Sequence, residues 1–133
     1  MQPITDLKQL LACMQPELNP GRYAFVALPE GYDLDYSLVV ASIREAEGLS
    51  LILPQQIARD LGLPIAFTAA WITLKIYSDL AAVGLTAAFA TELAEADISC
   101  NVVAGVHHDH LFVPVDQAQQ AMNTLIALSR STP

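Results

Sequence analysis

A chain of 133 residues can bury on the order of two-thirds of the surface it exposes when unfolded, enough for one good core or two small ones. With 53% apolar and only 15% charged residues, intrinsic disorder is excluded. Six Lys and Arg, scattered singly, stand against fourteen Asp and Glu for a net charge of −8, which excludes nucleic acid and anionic membrane as expected partners.

The start of the chain, Met1 to Asp6, lacks the basic and then apolar pattern of a secretory leader. The longest apolar stretch, 61–76, is interrupted by Gly62, Pro64, Thr68 and Thr73, whereas a membrane span needs about twenty predominantly apolar residues. Cys13 and Cys100 are then expected to be reduced thiols of a cytoplasmic protein.

The first predicted element is a helix over 5–15, capped by Thr5 or Asp6, with Leu7, Leu10, Leu11 and Met14 on one face. Pro16, Asn19, Pro20 and Gly21 read as a stop and a turn. A strand is expected over 22–28, then a loop from Pro29 to Asp35. Strands over 38–44 and 49–53 form a hairpin, with Gly48 suited to a positive φ in the connection. A short helix starts at Pro54 and ends at Gly62.

From Ala70 to Tyr77 the residues alternate: Ile72, Leu74 and Ile76 face one way, and Trp71, Thr73, Lys75 and Tyr77 the other. The Trp71 face then needs a covering, from the other half of the chain or from a second subunit. After the loop at Ser78 to Leu80 a helix is expected over 84–96, with Leu85, Ala88, Phe89, Leu93 and Ala96 inward. Strands over 99–105 and 110–115 make a second hairpin. Asp116 is expected to cap a last helix, whose inner face is Ala118, Ala121, Met122, Leu125 and Leu128.

Leu51-Ile52-Leu53-Pro54 and Leu111-Phe112-Val113-Pro114 occupy the same place in two hairpin–helix units, which suggests an internal repeat. The predicted class is α+β, with ferredoxin-like βαββαβ units in tandem, antiparallel sheets and helices on one face. The expected division is 1–66 and 67–133.

Three stretches carry a family resemblance: Arg44-Glu45-Ala46-Glu47-Gly48-Leu49, Val83-Gly84-Leu85-Thr86 through Ala96, and Cys100-Asn101-Val102-Val103-Ala104-Gly105 followed by His107-His108-Asp109-His110-Leu111-Phe112-Val113-Pro114. They resemble the ACT domain, and in particular a bacterial group of small tandem ACT-like proteins. The resemblance implies a regulatory protein without catalytic activity or cofactor that binds a small molecule such as an amino acid, with a homodimer as one expected assembly. Carried over position by position, it implies a ligand site at Ser78, Asp79, Val83, Gly84, Leu85 and Thr86, with Asn101 and Val102 on the facing strand. The physical reason is that unpaired amides at a helix start attract a carboxylate, while Asp79 can hold an ammonium group and Asn101 can both donate and accept. One departure from the family pattern is that only a few residues follow the last helix, with no fourth strand. The strand at 22–28 or the one at Ala70 is expected to fill that gap.

Two other readings are open. His107, His108 and His110 are the three histidines of the chain, and His108 and His110, two apart, could share a metal ion. Against this, no Cys or Glu lies near to complete a tetrahedral set, and a polar hairpin turn needs no metal. The chain could also be an interaction module without a ligand. Cys100, in a predicted strand, reads as a small buried residue rather than a nucleophile. Arg44, Glu45 and Glu47 read as a solvated hairpin end that discourages edge-to-edge aggregation.

Overall fold

A computed structural model describes residues 6–76 and 79–131. The chain divides into two compact units. One is split, combining residues up to Asn19 with those from Ala70 onward, and the other is the continuous segment Pro20–Ala69.

In the continuous unit, β2 (Tyr23–Ala27), β3 (Ala41–Glu45) and β4 (Gly48–Pro54) are joined by the first residues of β5 (Phe67–Lys75), in the order β3-β4-β2-β5. All three pairings are antiparallel. Gly48 has φ +136° in the tight hairpin connection, as expected for that position. Helix α2 (Gln55–Asp60) follows β4 directly. Its buried Ala58 packs with Ala24, Val26, Leu51 and Leu53. Between β2 and β3, where a ferredoxin-like unit carries its first helix, the chain makes only a 3₁₀ turn at Tyr36–Leu38, capped by Asp35 through the Ser37 amide at 3.0 Å.

In the split unit, β6 (Asn101–Ala104) and β7 (Asp109–Pro114) pair as an antiparallel hairpin, and β7 lies beside β5. The fourth strand is β1 (Gln15–Leu18), antiparallel to β5 with Gln15 opposite Lys75 and Leu18 opposite Ile72. The order β1-β5-β7-β6 is therefore the ferredoxin-like 4-1-3-2, with its last strand supplied from the N-terminal side.

This corrects two expectations. Residues 15–18 are a strand rather than a turn. They, and not the strand at 22–28, fill the fourth position of the split unit. Pro16 hid the strand, since proline lacks a ladder donor, but on an edge strand the missing N–H can face away from the partner. The expected sharing at Ala70 holds for the other unit: β5 begins at Phe67, and Phe67–Ala69 pair with β2 as its fourth strand.

Helices α1 (Leu7–Cys13), α3 (Leu85–Glu95) and α4 (Ala118–Ser131) bury one face of the split unit's sheet. Leu10, Phe89, Leu93, Ala121 and Leu125 are fully buried there with Ile72, Leu74, Leu111 and Val113. Asp6 caps α1 by accepting from the Lys8 amide. Asp116 does not cap α4. It lies inside a 3₁₀ turn at Val115–Gln117 that leads into the helix, because the chain turns helical as soon as Pro114 ends β7. Tyr77, expected to extend the alternation of β5, lies outside the described residues.

Candidate functional site

In the split unit the connection from β5 to α3 meets the turn between β6 and β7. There a cleft of about 130 Å³ is lined by the loop residues Asp79, Leu80 and Ala82, by Gly84, Leu85 and Thr86 at the start of α3, and by Ala104 and Asp109. At roughly 30 Å³ per water, it holds only a few waters' worth of volume.

Three features give the cleft its chemistry. Gly84 sits at the N-cap of α3 with φ +102°, and among the described residues no side chain caps the helix. The first intrahelical bond runs from the Ala88 amide to the Gly84 carbonyl at 2.9 Å, so the amides of the first turn lack intrahelical acceptors, and no side-chain acceptor for them is found among the described residues. Asp79, half-buried, accepts from the Ala81 amide at 2.8 Å, an Asx turn that fixes its carboxylate at the rim. Asp109, at the first position of β7 opposite Ala104, is only 6% exposed. No hydrogen bond or ion pair to its carboxylate is found among the described residues. Burial raises its pKa, against the opposing pull of His110 and His108.

Of the expected ligand residues, Asp79, Gly84, Leu85 and Thr86 come together in this cleft. Val83 is 85% exposed and does not line it. Asn101 is exposed at the far end of β6, three residues before Ala104 and so about 10 Å along the strand. Val102 packs against the core of the unit. Ser78 lies outside the described residues. The sequence reading did not single out Leu80 and Ala82 of the loop, nor the hairpin pair Ala104 and Asp109. The hairpin register, which puts Ala104 opposite Asp109 at the strand ends nearest α3, is the signal that could have found them.

The histidines do not converge. His110 turns to the sheet face opposite the helices, where its Nδ1 accepts from Trp71 Nε1 at 3.0 Å and lies 3.2 Å from Thr73 Oγ1. Asn19 Nδ2 donates to Thr73 Oγ1 at 3.0 Å and to the Trp71 carbonyl at 3.2 Å. Because an indole N–H can only donate, Nδ1 of His110 is unprotonated and the ring proton of the neutral form sits on Nε2. The rings of His107 and His108 are 6.5 Å apart. No group of three or more His, Cys, Asp or Glu able to hold a metal exists among the described residues, so the metal reading through His107, His108 and His110 has no ligand set. Cys100 is half-buried with its thiol pushed up to about 11 by burial, the setting of an inert thiol.

Two predictions arise here. Burial, with His108 adding to it and Asp109 opposing, lowers the pKa of His110 below its ordinary value of 6.5. A lowered histidine pKa contributes stability that is present above 6.5 and lost as pH falls through the folded-state value. Trp71→Phe removes the donor that favours the neutral ring. The His110 midpoint, followed by NMR of the imidazole protons, should move up in this variant, and an unchanged midpoint would refute the assigned tautomer. Gly84→Ala places a Cβ at φ +102° and 3.0 Å from Leu7 Cδ2. Denaturant titration should show a loss of about 1–3 kcal/mol, the cost of holding a non-glycine residue in this region.

The split unit thus has the ferredoxin-like strand order, with an uncapped helix start and a carboxylate around one small cleft. The chain belongs to the ACT-domain family: ACT-domain models match residues 2–70 and 67–127. Domains of this family regulate by binding small ligands. Among solved structures, the chain is similar to a Vibrio cholerae protein of unknown function, described as a possible transport protein, with 46% identity over 92% of this chain and 95% of that one and a TM-score of 0.82. A protein from Agrobacterium tumefaciens shares 17% identity over 87% and 89% of the two chains, with a TM-score of 0.61. The ligand-free regulatory subunit of aspartate kinase from Thermus thermophilus shares 8% identity over 88% and 98%, with a TM-score of 0.60, a likeness of fold alone. Comparison with curated proteins finds no match.

Proposed function

We propose that this protein is a non-catalytic sensor of a small neutral α-amino acid, bound in the cleft between the start of α3 and the β6–β7 turn. The observation that carries the reading is the Asp109 carboxylate, 6% exposed and unpartnered among the described residues, lining the same cleft as the uncapped amides of α3. The Asp109 residue is buried, but its carboxylate oxygens are not among the buried unpartnered atoms, so they remain open to the cleft, where a cation can reach them. The helix start, in contrast, favours an anion. A ligand that satisfies both carries an ammonium and a carboxylate a few ångströms apart, the head of an α-amino acid.

Charge and size narrow the choice. No Lys or Arg lines the cleft, so a simple anion would meet Asp79 and Asp109 unopposed. A volume of about 130 Å³ is well below the roughly 300–1,000 Å³ of pockets for drug-sized ligands, which leaves little room for a side chain. Glycine, alanine and serine fit these limits, and acidic amino acids do not. The Asp79 carboxylate oxygen not held by Ala81 is a second acceptor for the ammonium group. Ligand binding is read out through a partner protein or a homodimer of this chain, in the cytoplasm.

Thermal unfolding against a panel of amino acids tests the reading. A ligand at one hundred times its Kd stabilises by about 2.7 kcal/mol, on the order of 10 °C in Tm for a chain of this length. Glycine, alanine or serine should give such a shift and their decarboxylated amines should not. A flat response across the panel removes the proposal.

A further inference from the structure

The outer strand of the continuous unit is left open. β3 ends the sheet order and pairs with β4. The Leu28 amide donates to the Leu49 carbonyl at 2.9 Å, so the backbone of Leu49 faces β2. Polar backbone groups alternate sides along an antiparallel strand. Gly48, Ser50 and Ile52 therefore face β3, and Glu45, Ile43 and Ala41 face back. Ser42 and Arg44, opposite Leu51 and Leu49, aim their N–H and C=O groups away from the sheet. No hydrogen bond to those groups is found among the described residues. They stand roughly 7 Å apart, the repeat at which a further strand bonds.

Edges are commonly blunted by charge, and Arg44 and Glu45 would account for a plain solvated edge. They do not account for the apolar surface around it. Ile43, between the two open positions, is 54% exposed. Tyr36 and Leu38, in the turn that leads to the strand, are 52% and 41% exposed. The buried core of this unit draws on β2, β4 and α2 and leaves β3 outside it. The charge around the edge is nearly of one sign: from Glu30 to Glu47, five exposed carboxylates stand against Arg44 alone. Glu30, Glu45 and Glu47 line one depression with Arg44 and Tyr36.

We propose that β3 is a docking edge for an extended, basic segment of a partner protein, which joins the sheet as one more strand. The open groups of Ser42 and Arg44 supply the main-chain bonds, and side chains at alternate positions supply the selection. An apolar side chain of the segment lies on Ile43. Lys or Arg side chains meet Glu45 across the pair and Glu30 and Glu47 at the strand end. A second copy of this chain would bring the same carboxylates and a net charge of −8 to the same edge, so opposite charge favours a different partner. The inference is independent of the ligand assigned to the split unit.

The test uses the full chain and a capped peptide, Thr-Lys-Thr-Val-Thr-Lys-Thr, whose valine can sit on Ile43 with a lysine to either side on the same face. The amide signals of Ser42 and Arg44 should move, and their hydrogen exchange should slow. A twin with both lysines replaced by glutamate should bind about tenfold more weakly or worse, and so should a twin N-methylated at the two threonines beside the valine. Glu45→Lys should weaken the parent peptide. Ser42→Pro, which removes an outward donor and leaves the ladder to β4 intact, should do the same. Unchanged far-UV dichroism checks the fold of both variants. No movement at Ser42 and Arg44 at about millimolar peptide overturns the proposal, as does equal binding of either twin. Self-association by sedimentation that Ser42→Pro abolishes also overturns it, since a second copy would then hold the edge.

Discussion

Asp109→Asn should make the free protein more stable at neutral pH and, in the same variant, erase the stabilisation by small amino acids. Burial raises the pKa of Asp109 above its ordinary value of 3.8, so ionisation is penalised in the folded state. A raised carboxylate pKa contributes stability that is fully present below 3.8 and is lost as pH rises through the folded-state value. The free protein therefore takes on that penalty as pH rises through the folded-state value, and asparagine, which does not titrate, removes it. The bound state reverses the sign, since the ammonium group needs the ionised carboxylate. A hydrogen bond to a charged group contributes about 1.5–3 kcal/mol, so affinity should fall roughly 10- to 100-fold in the variant. In the wild type, affinity should also fall on acidification through the pKa of Asp109. Melting curves with and without glycine, alanine and serine between pH 4 and 8 read both effects. A variant that is less stable without ligand, or that still responds to it, contradicts the role given to this side chain. Gain of stability with loss of binding is the usual trade at a site that holds a group at a cost to the fold.

Leu10→Ala should cost about 2–5 kcal/mol, the range for deleting a fully buried leucine side chain. Leu10 has no exposed surface and packs in the cluster that contains Leu74, Phe89 and Leu125, far from it in sequence. Against a typical total of about 5–15 kcal/mol, such a loss approaches the unfolding limit. Urea titration measures it, and hydrogen exchange shows where it acts: amides of α3 and α4 should lose protection. A cost below about 1 kcal/mol would mean that α1 is a peripheral attachment and not part of the split unit.

The alternation Ile72, Leu74, Ile76 and the apolar faces of α3 and α4 were legible because each follows a local period, two for a strand and about 3.6 for a helix. The same holds for Gly48, whose positive φ is required by a hairpin. β1 was not legible, because four residues containing a proline have no period. Their strand character comes from the partner they find in Ile72–Lys75. The cleft was half legible. Asp79, Gly84, Leu85 and Thr86 lie within one short segment, 79–86, and a loop entering a helix marks itself in sequence. Asp109 read as a turn residue, since nothing local tells a solvated aspartate in a polar turn from one that hairpin pairing turns inward beside α3.

By itself, then, the order of residues determined the α+β class, the repeat of hairpin and helix, the helix start at Gly84 and the scattering of six basic residues among fourteen acidic ones. These depend on composition and on neighbours within a few positions. Only the tertiary structure decided that residues before Asn19 complete the unit that begins at Ala70, that Asn101 stands away from the cleft, and that Asp109 is buried in it. Each of these is a matter of which distant segments pair edge to edge. Strand pairing is set by the burial of whole faces at once, a quantity that no short window of sequence contains.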